Sequence, residues 1–345
     1  MKLLLVTQKV DKNDDVLGFF HRWILEFAKH FEFVTVICLK KGRHELSENV
    51  KVLSLGKEDG ASRLKYIYRF YKYIWNERKN YDTVFVHMNI EYILLGGMWW
   101  RLIGKKVFLW YNHTYGTLSA RIAGIITHRT FHTSPFAFTS RFKNAMKMPA
   151  GIDISMFKKD ESLQKSPNSI LYIGRISPVK YVDILLNAVK ILNNRGVKTT
   201  LDIYGSAPER DKKYYDGLRR DAEEMEKNGI VSFCGSIPNY KSPEVFNKHE
   251  ISVNLTPEGN FDKTVLESMA CETLTLVSSP AFESILPKEF LFEERNADDL
   301  ADKIENILNM SQDQKNTYSV GMRKKIIEEH DLATLAKKIK TIAND

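Results

Sequence analysis

SILYIGRISPVK, Ser169 to Lys180, runs from five strand-forming residues into Gly174, Arg175 and Lys180, with a helix following from about Val182. A short apolar run without polar alternation is the mark of a strand covered on both faces, as in parallel sheets. A glycine at such a strand end lets backbone amides approach a ligand closely. Two cations five residues apart, in the turn before a helix, make a two-point clamp for a diphosphate. The same spacing also describes a solvated turn with two surface cations, and spacing alone does not choose.

The pattern continues outward in both directions. Toward the N-terminus the strands read as Leu3–Thr7, Val34–Leu39, Val50–Leu55, Thr83–His87 and Lys106–Tyr111. The helices read as Leu17–His30, Ala61–Lys79, Ile93–Ile103 and Leu118–Thr127. The rhythm restarts after Pro149, with strands at Ser169–Ile173, Thr199–Tyr204, Val231–Cys234, Ile251–Leu255 and Thr273–Val277. Helices Val182–Arg195, Lys212–Asn228 and Lys263–Cys271 lie between them. Alternation of buried strands with helices predicts two doubly wound α/β domains in series, with ligands at the carboxyl ends of the strands. The polar stretch Lys158–Asn168 reads as the connector between them.

Composition sets the partners. The 345 residues carry 51 Lys and Arg against 43 Asp and Glu, a net charge of +8. Residues 1–150 hold 24 basic and 12 acidic side chains, and no acid occurs from Tyr92 to Ile152. The remainder holds 27 basic and 31 acidic residues. The first half therefore suits an anionic surface: membrane headgroups, nucleic acid or a phosphorylated acceptor. Three cysteines without a C-x-x-C pair exclude a disulfide framework and disfavour a structural zinc site; they suit a reducing compartment. The N-terminal apolar run is too short for a signal-peptide core, so a cytoplasmic location is expected. The longest apolar stretch, Tyr92–Ile103, contains Arg101 and is far below the about twenty residues of a membrane span.

A second stretch, TPEGNFDKTVLESMAC (Thr256–Cys271), ends a strand in a turn and opens a helix near Lys263, with Glu267 in its first turns. A carboxylate there can chelate two vicinal hydroxyls such as those of a ribose, and it can equally only complement the helix dipole. Taken with GRISPVK, the stretch resembles the motifs of GT-B fold, retaining nucleotide-sugar glycosyltransferases of family 4: G-R-L-x-x-x-K, then P-S-x-x-E-G-F-G-x-x-x-x-E-A-M-A-C-G. FCGSIP (Phe233–Pro238) is similar to the family's F-x-G-x-V, and PAGID (Pro149–Asp153) to its P-N-G-I-D hinge.

The resemblance implies two Rossmann-like domains facing across a cleft. Residues 1–150 would bind the acceptor and 151–329 the nucleotide-sugar donor, UDP- or GDP-linked, with a helix at about 330–345 packing back on the first domain. Arg175 and Lys180 would hold the donor diphosphate and stabilise charge as the sugar departs. Glu267 would bind the ribose. Gly174, Gly205, Gly235 and Ile237 would frame the nucleotide. His113, at a strand end of the first half, would face the donor sugar, with His87 as the weaker choice. Gly18 would meet the phosphates. No metal or other cofactor is expected.

One departure matters. The family spaces two Glu residues with seven between them, which puts the first at Gly259, one residue past Glu258. Either Glu258 fills the role through an altered turn, or Asp262 and the backbone of Asn260–Lys263 contact the sugar. The triplet Phe261-Asp262-Lys263 fits a variant subgroup and favours Asp262, with Thr264 completing the donor-binding set. The implied reaction is front-face hexosyl transfer with retention, to a glycan or lipid-linked acceptor of the cell envelope.

Helix Ala61–Lys79 carries six Lys or Arg among Tyr66, Tyr68, Phe70, Tyr71, Tyr73 and Trp75. Tyr66, Phe70, Tyr73 and Trp75 fit packing on the sheet with Lys65, Arg69 and Lys72 outward. The excess of basic and aromatic residues also suits an anionic bilayer at the inner membrane face. Rival readings are a nucleic-acid binder, which the lack of any recognised module and the acidic second half argue against, and a catalytically idle sugar-nucleotide-binding protein. The absence of G-x-G-x-x-G after the first strand argues against a dehydrogenase.

Overall fold

Leu3-Leu-Leu-Val-Thr7 has no polar face to turn to water, and it lies in the middle of a sheet covered on both sides. The computed structural model describes residues 1–257 and 259–345. The chain divides into two units, Met1–Gly151 with Leu332–Asp345, and Ile152–Asp331.

The first unit holds β1 (Lys2–Val10), β2 (Phe33–Lys41), β3 (Val50–Ser54), β4 (Thr83–His87), β5 (Lys106–Trp110), β6 (Arg129–His132) and β7 (Ala145–Lys147). They pair in parallel in the order β3-β2-β1-β4-β5-β6-β7. Side chains of β1 alternate between two cores. Leu3 and Leu5 meet Trp23 and Phe27 of helix Phe19–His30, and Leu335 and Ile339 of helix Leu332–Asn344. Leu4 and Val6 meet Phe70, Tyr92, Trp100 and Ala123 on the opposite face. That second face is covered by three helices, Arg63–Asn76, Ile90–Leu102 and Leu118–Ile126, because each crossover after β3 moves in the same direction along the sheet.

The second unit holds β8 (Ser166–Ile173), β9 (Thr200–Tyr204), β10 (Val231–Gly235), β11 (His249–Asn254) and β12 (Leu274–Val277), all parallel, in the order β10-β9-β8-β11-β12. Chain direction reverses across the sheet between β8 and β11. The helices that follow these two strands, Val182–Asn194 and Lys263–Ala270, therefore cover opposite faces and leave a crevice at the strands' carboxyl ends.

Several expectations need correction. Lys158–Asn168 is not the connector between units, since the chain crosses at Gly151 and again at Asp331. Its polar groups are held inside the second unit: the Asp160 amide donates to Asn247, and the Lys165 ammonium donates to the His249 carbonyl and the Thr273 hydroxyl. The segment Lys212–Asn228 is two helices, Lys212–Asp221 and Glu223–Lys227, separated at buried Ala222. In helix Arg63–Asn76, Phe70 is buried as expected, but Trp75 is 52% exposed and lies tilted against Trp99, ring centroids 5.3 Å apart. Arg69 turns inward to the Leu55 carbonyl at 2.9 Å. Trp75 lies about 100° around the helix from buried Ile74, which takes it off the core stripe.

Where the chain leaves the first unit, Gly151 has a φ of +70°, and its carbonyl accepts a hydrogen bond from Trp23 Nε1 at 2.8 Å. A Cβ there would sit 2.6 Å from Leu335 and 2.7 Å from Trp23. Gly151→Ala is expected to lower unfolding stability by about 1–3 kcal/mol through backbone strain and overpacking. Urea unfolding followed by tryptophan fluorescence measures it, and an unchanged midpoint would contradict this packing.

Candidate functional site

Three glycines meet at the carboxyl edge of the second sheet. Gly174 follows β8, Gly205 follows β9, and Gly235 ends β10. The Gly174 amide donates to the Tyr204 carbonyl at 3.0 Å, and the Gly205 amide to the Gly235 carbonyl at 2.8 Å. A Cβ on Gly205 would lie 1.9 Å from the Gly174 carbonyl oxygen, so no larger residue fits without moving the backbone. Beneath them the buried Tyr172 hydroxyl donates to the Arg175 carbonyl at 3.0 Å and fixes the start of the turn.

Arg175 is exposed, whereas Lys180 sits at the end of a short turn, Pro178–Lys180, just before helix Val182–Asn194. Lys180 Nζ donates to Thr256 Oγ1 at 2.7 Å and pairs with Asp262 Oδ2 at 2.8 Å. One side-chain contact thus ties the turn after β8 to the loop after β11. Asp262 also caps helix Lys263–Ala270, accepting from the Thr264 amide at 3.3 Å and the Thr264 hydroxyl at 3.1 Å. Burial alone would raise the Asp262 carboxyl. The Lys180 charge, with Thr256 and the Thr264 amide, outweighs burial and holds the carboxyl well below the ordinary carboxylate range.

Glu267 lies one turn further along the same helix, buried, with Oε1 accepting from Asn239 Nδ2 at 3.0 Å. Burial pushes its carboxyl upward and the neighbouring Lys263 ammonium downward, each charge partly offsetting the other. Phe261 stacks flat on Phe282 at 4.5 Å, and Asn260 is held by the Ser279 hydroxyl, which donates to its carbonyl at 2.9 Å. Ile237 is half-buried just beyond β10. Glu258 lies outside the described residues.

The structure therefore gathers Gly174, Gly205, Gly235, Lys180, Asp262, Thr264 and Glu267 around one crevice within the second unit. Gly18 and His113 belong to the first unit. Gly18 is the buried residue preceding helix Phe19–His30. His113 is exposed after β5, its ring 5.0 Å from Tyr111 and its carbonyl accepting from the Phe138 amide at 2.8 Å. His87 is buried among Phe19, Phe20 and Trp23, with the Phe20 ring 4.4 Å away, which makes it a core histidine. Among the described residues no group of three or more His, Cys, Asp or Glu side chains gathers as a metal site.

Three participants were not singled out from sequence. Thr256 bridges Lys180 and Asp262, with its hydroxyl 3.0 Å from Asp262. Asn239 anchors Glu267. Ser177, inside the GRISPVK turn, is buried with its hydroxyl lacking a hydrogen-bond partner among the described residues. It shares its turn with Arg175 and Lys180.

Comparison with known proteins fits this geometry. Residues 153–340, which hold every one of these second-unit groups, match the family described as Glycosyl transferases group 1. The chain is a group 1 glycosyltransferase. No curated protein matches it. Among solved structures, this glycosyltransferase is similar to Anabaena HepE in complex with UDP and glucose, with a TM-score of 0.79 at 15% identity over 100% of both chains. It is similar to sucrose-phosphate synthase of Thermosynechococcus elongatus, with a TM-score of 0.78 at 15% identity, covering 100% and 98%. It also resembles the lipopolysaccharide outer core galactosyltransferase WaaB, with a TM-score of 0.66 at 14% identity over 100% of both. These likenesses show that the glycosyltransferase has the GT-B fold.

The double duty of Asp262 generates a prediction. Asp262→Ala should destabilise the protein by about 1–2 kcal/mol through loss of the cap. Asp262→Asn keeps an accepting oxygen for Thr264 and should recover part of that loss. Thermal unfolding of the two variants checks this, and equal melting temperatures would show that Asp262 does not cap the helix.

Proposed function

We propose that this glycosyltransferase is a retaining, metal-independent hexosyltransferase of family 4, of the Phe-Asp-Lys subgroup, acting from a UDP- or GDP-sugar. The second unit holds the donor. The observation that carries the reading is the crevice in which Lys180, the glycine backbone and buried Glu267 converge on the carboxyl ends of β8 to β11. Anabaena HepE, of similar fold, was solved with UDP-glucose, which supports a nucleotide-sugar ligand.

Each group has a task in that reaction. Arg175 and Lys180 face the diphosphate and stabilise the negative charge that grows on it as the anomeric C–O bond breaks. Ser177 gives its hydroxyl to a phosphate oxygen. Glu267, ionised and oriented by Asn239, accepts hydrogen bonds from the two ribose hydroxyls. Asn260 to Thr264 serve the sugar, with Glu258 or Asp262 taking the role of the family's first motif glutamate. The acceptor hydroxyl attacks from the face the diphosphate leaves, and the departing diphosphate takes its proton. Asp262 keeps the Lys180 ammonium where the charge develops and is a positioning residue. In the first unit, Gly18 and His113 are the residues that the family resemblance assigns to the phosphates and to the sugar.

The acceptor is a glycan, lipid-linked or belonging to the cell envelope, met by the first unit. The run from Tyr92 to Ile152, which has cations and no acid, supports an anionic carrier, and a peripheral position on the cytoplasmic face of the membrane follows from it. No helix among the described residues is long and apolar enough to cross a bilayer.

Thermal-shift screening against UDP-, GDP- and ADP-sugars tests the donor assignment, since a ligand that binds only the folded state raises the melting temperature. Lys180→Ala and Arg175→Ala should each lower donor turnover by about 10²–10³; turnover within about tenfold of wild type in both would overturn the phosphate assignment. The raised Glu267 carboxyl gives a pH signature. It binds ribose when ionised, so donor affinity should weaken as pH moves from mildly alkaline to mildly acidic. Glu267→Gln should bind weakly at every pH, with a flatter profile.

A further inference from the structure

The first unit carries a second concavity that the transfer reaction does not use. A groove of about 590 Å³ lies between helix Leu118–Ile126 and the segment that joins β6 to β7. Its apolar wall is Ile125, Phe138 and Phe142, with the two phenyl rings 5.5 Å apart and edge to face. Arg121, Arg141 and Lys143 stand on its rim, and all three are exposed. None of the three makes an ion pair among the described residues, and the sequence offers no acid nearer than Glu91 and Asp153. The Arg121 guanidinium lies 5.9 Å from the Phe138 ring. Cation and hydrocarbon are thus presented side by side.

The neighbouring surface has the same character. Helix Leu118–Ile126 turns Leu118 (73% exposed), Ile122 and Ile125 (79% exposed) to the outside. Helix Ile90–Leu102 beside it exposes Leu94, Met98 and Leu102, and helix Arg63–Asn76 exposes Leu64, Ile67, Tyr68, Tyr71 and Trp75. The helices are tied laterally: Tyr71 donates to the Leu95 carbonyl, and Arg101 to the Ile126 carbonyl. They form one continuous face on the outside of the sheet. In these three helices six cationic residues stand against one acid, Glu91. An exposed aliphatic and aromatic face is a liability in water unless something covers it. A partner that covers it must be apolar within and negatively charged at its rim.

We propose that this groove is a seat for a single anionic phospholipid of the bilayer on which the three-helix face rests. The lipid phosphate sits among Arg121, Arg141 and Lys143, and the first part of its acyl chain lies along Ile125, Phe138 and Phe142. The seat rests on the reading of a membrane-borne acceptor and deepens it, giving the first unit a lipid subsite separate from the donor crevice. A nucleic acid would use the cations and leave the aliphatic residues in water, so the observations favour lipid.

The test titrates the full chain with dioctanoyl phosphatidylglycerol as monomer, with dioctanoyl phosphatidylcholine and inorganic phosphate as comparators. The anionic lipid should bind saturably, and both comparators should bind about tenfold or more weakly, since each cation beside an anionic headgroup contributes severalfold. Arg141→Glu combined with Lys143→Glu should weaken the anionic lipid by at least about tenfold, and Ile125→Asp should weaken it while leaving the rim charges in place. Nucleotide-induced thermal shifts, measured on the same variants, report that the second unit is folded and loaded. Equal lipid binding by wild type and both variants would overturn the seat, even if vesicles still bind through the rest of the face. Displacement by inorganic phosphate at matching concentration, or preference for a single-stranded RNA oligomer over the lipid, would overturn it too. Lipid binding as expected with no response to any sugar nucleotide would sustain the seat and remove the donor reading.

Discussion

A half-buried ion pair between Lys180 and Asp262 organises the carboxyl edge of the second sheet. The two residues come from loops that leave adjacent strands, β8 and β11, toward opposite faces of the sheet. Nothing in strand pairing holds such loops together; they splay because the crossovers diverge. The ammonium–carboxylate contact closes that gap with the Thr256 hydroxyl as a third member. The geometry has an electrostatic consequence. Asp262 partners Lys180, so a half-buried lysine is not left without a countercharge. In the proposed reaction an incoming dianion would meet Arg175 and a lysine already placed, beside the N-terminal ends of helices Val182–Asn194 and Lys263–Ala270.

How much of this can be read from sequence depends on the kind of signal. Strands such as Leu3–Thr7 and Ser169–Ile173 are legible because a strand covered on both faces must be apolar throughout, and few other elements look like that. β6 and β7 were missed for the converse reason. Arg129–His132 and Ala145–Lys147 are short and begin or end in charged residues, and β7 is the edge strand, paired only with β6. Lys158–Asn168 is ambiguous by composition: a polar segment looks the same whether it links two units or is pinned to one through Asn247 and half-buried Lys165. The crossing at Gly151 is set by contacts with Trp23 and Leu335, residues far away in sequence.

The candidate site shows the same division. Arg175, Lys180 and Glu267 stand out in sequence because a charge beside a strand end or helix start is chemically conspicuous. The pairing of Lys180 with Asp262 is not legible, because the two are 82 residues apart and several carboxylates could reach. Asn239 and Thr256 are ordinary polar residues until burial of their partners gives them a task. A general signal was available all the same: a carboxylate placed within an apolar helix, as in Lys263–Ala270, implies a donor nearby that a search around Phe233–Pro238 would find.

The charge asymmetry takes on a sharper meaning once partners are known. Cations of the second unit are largely met at home: Arg195 with Asp302 and Glu305, Lys315 with Glu250, Arg323 with Glu272, Lys180 with Asp262. Fields of such pairs fall away within a short distance. Between Tyr92 and Ile152 no acid exists to pair with, so the field of Arg101, Arg121, Arg141 and Lys143 extends into solvent until salt screens it, about 8 Å at physiological ionic strength. Unpaired surface charge adds self-repulsion and brings no stability to the fold. Exposed leucine and isoleucine beside it are no better placed in water. These two features, each unfavourable to an isolated folded unit, occur together on the first unit, and the proposed lipid seat would reconcile them.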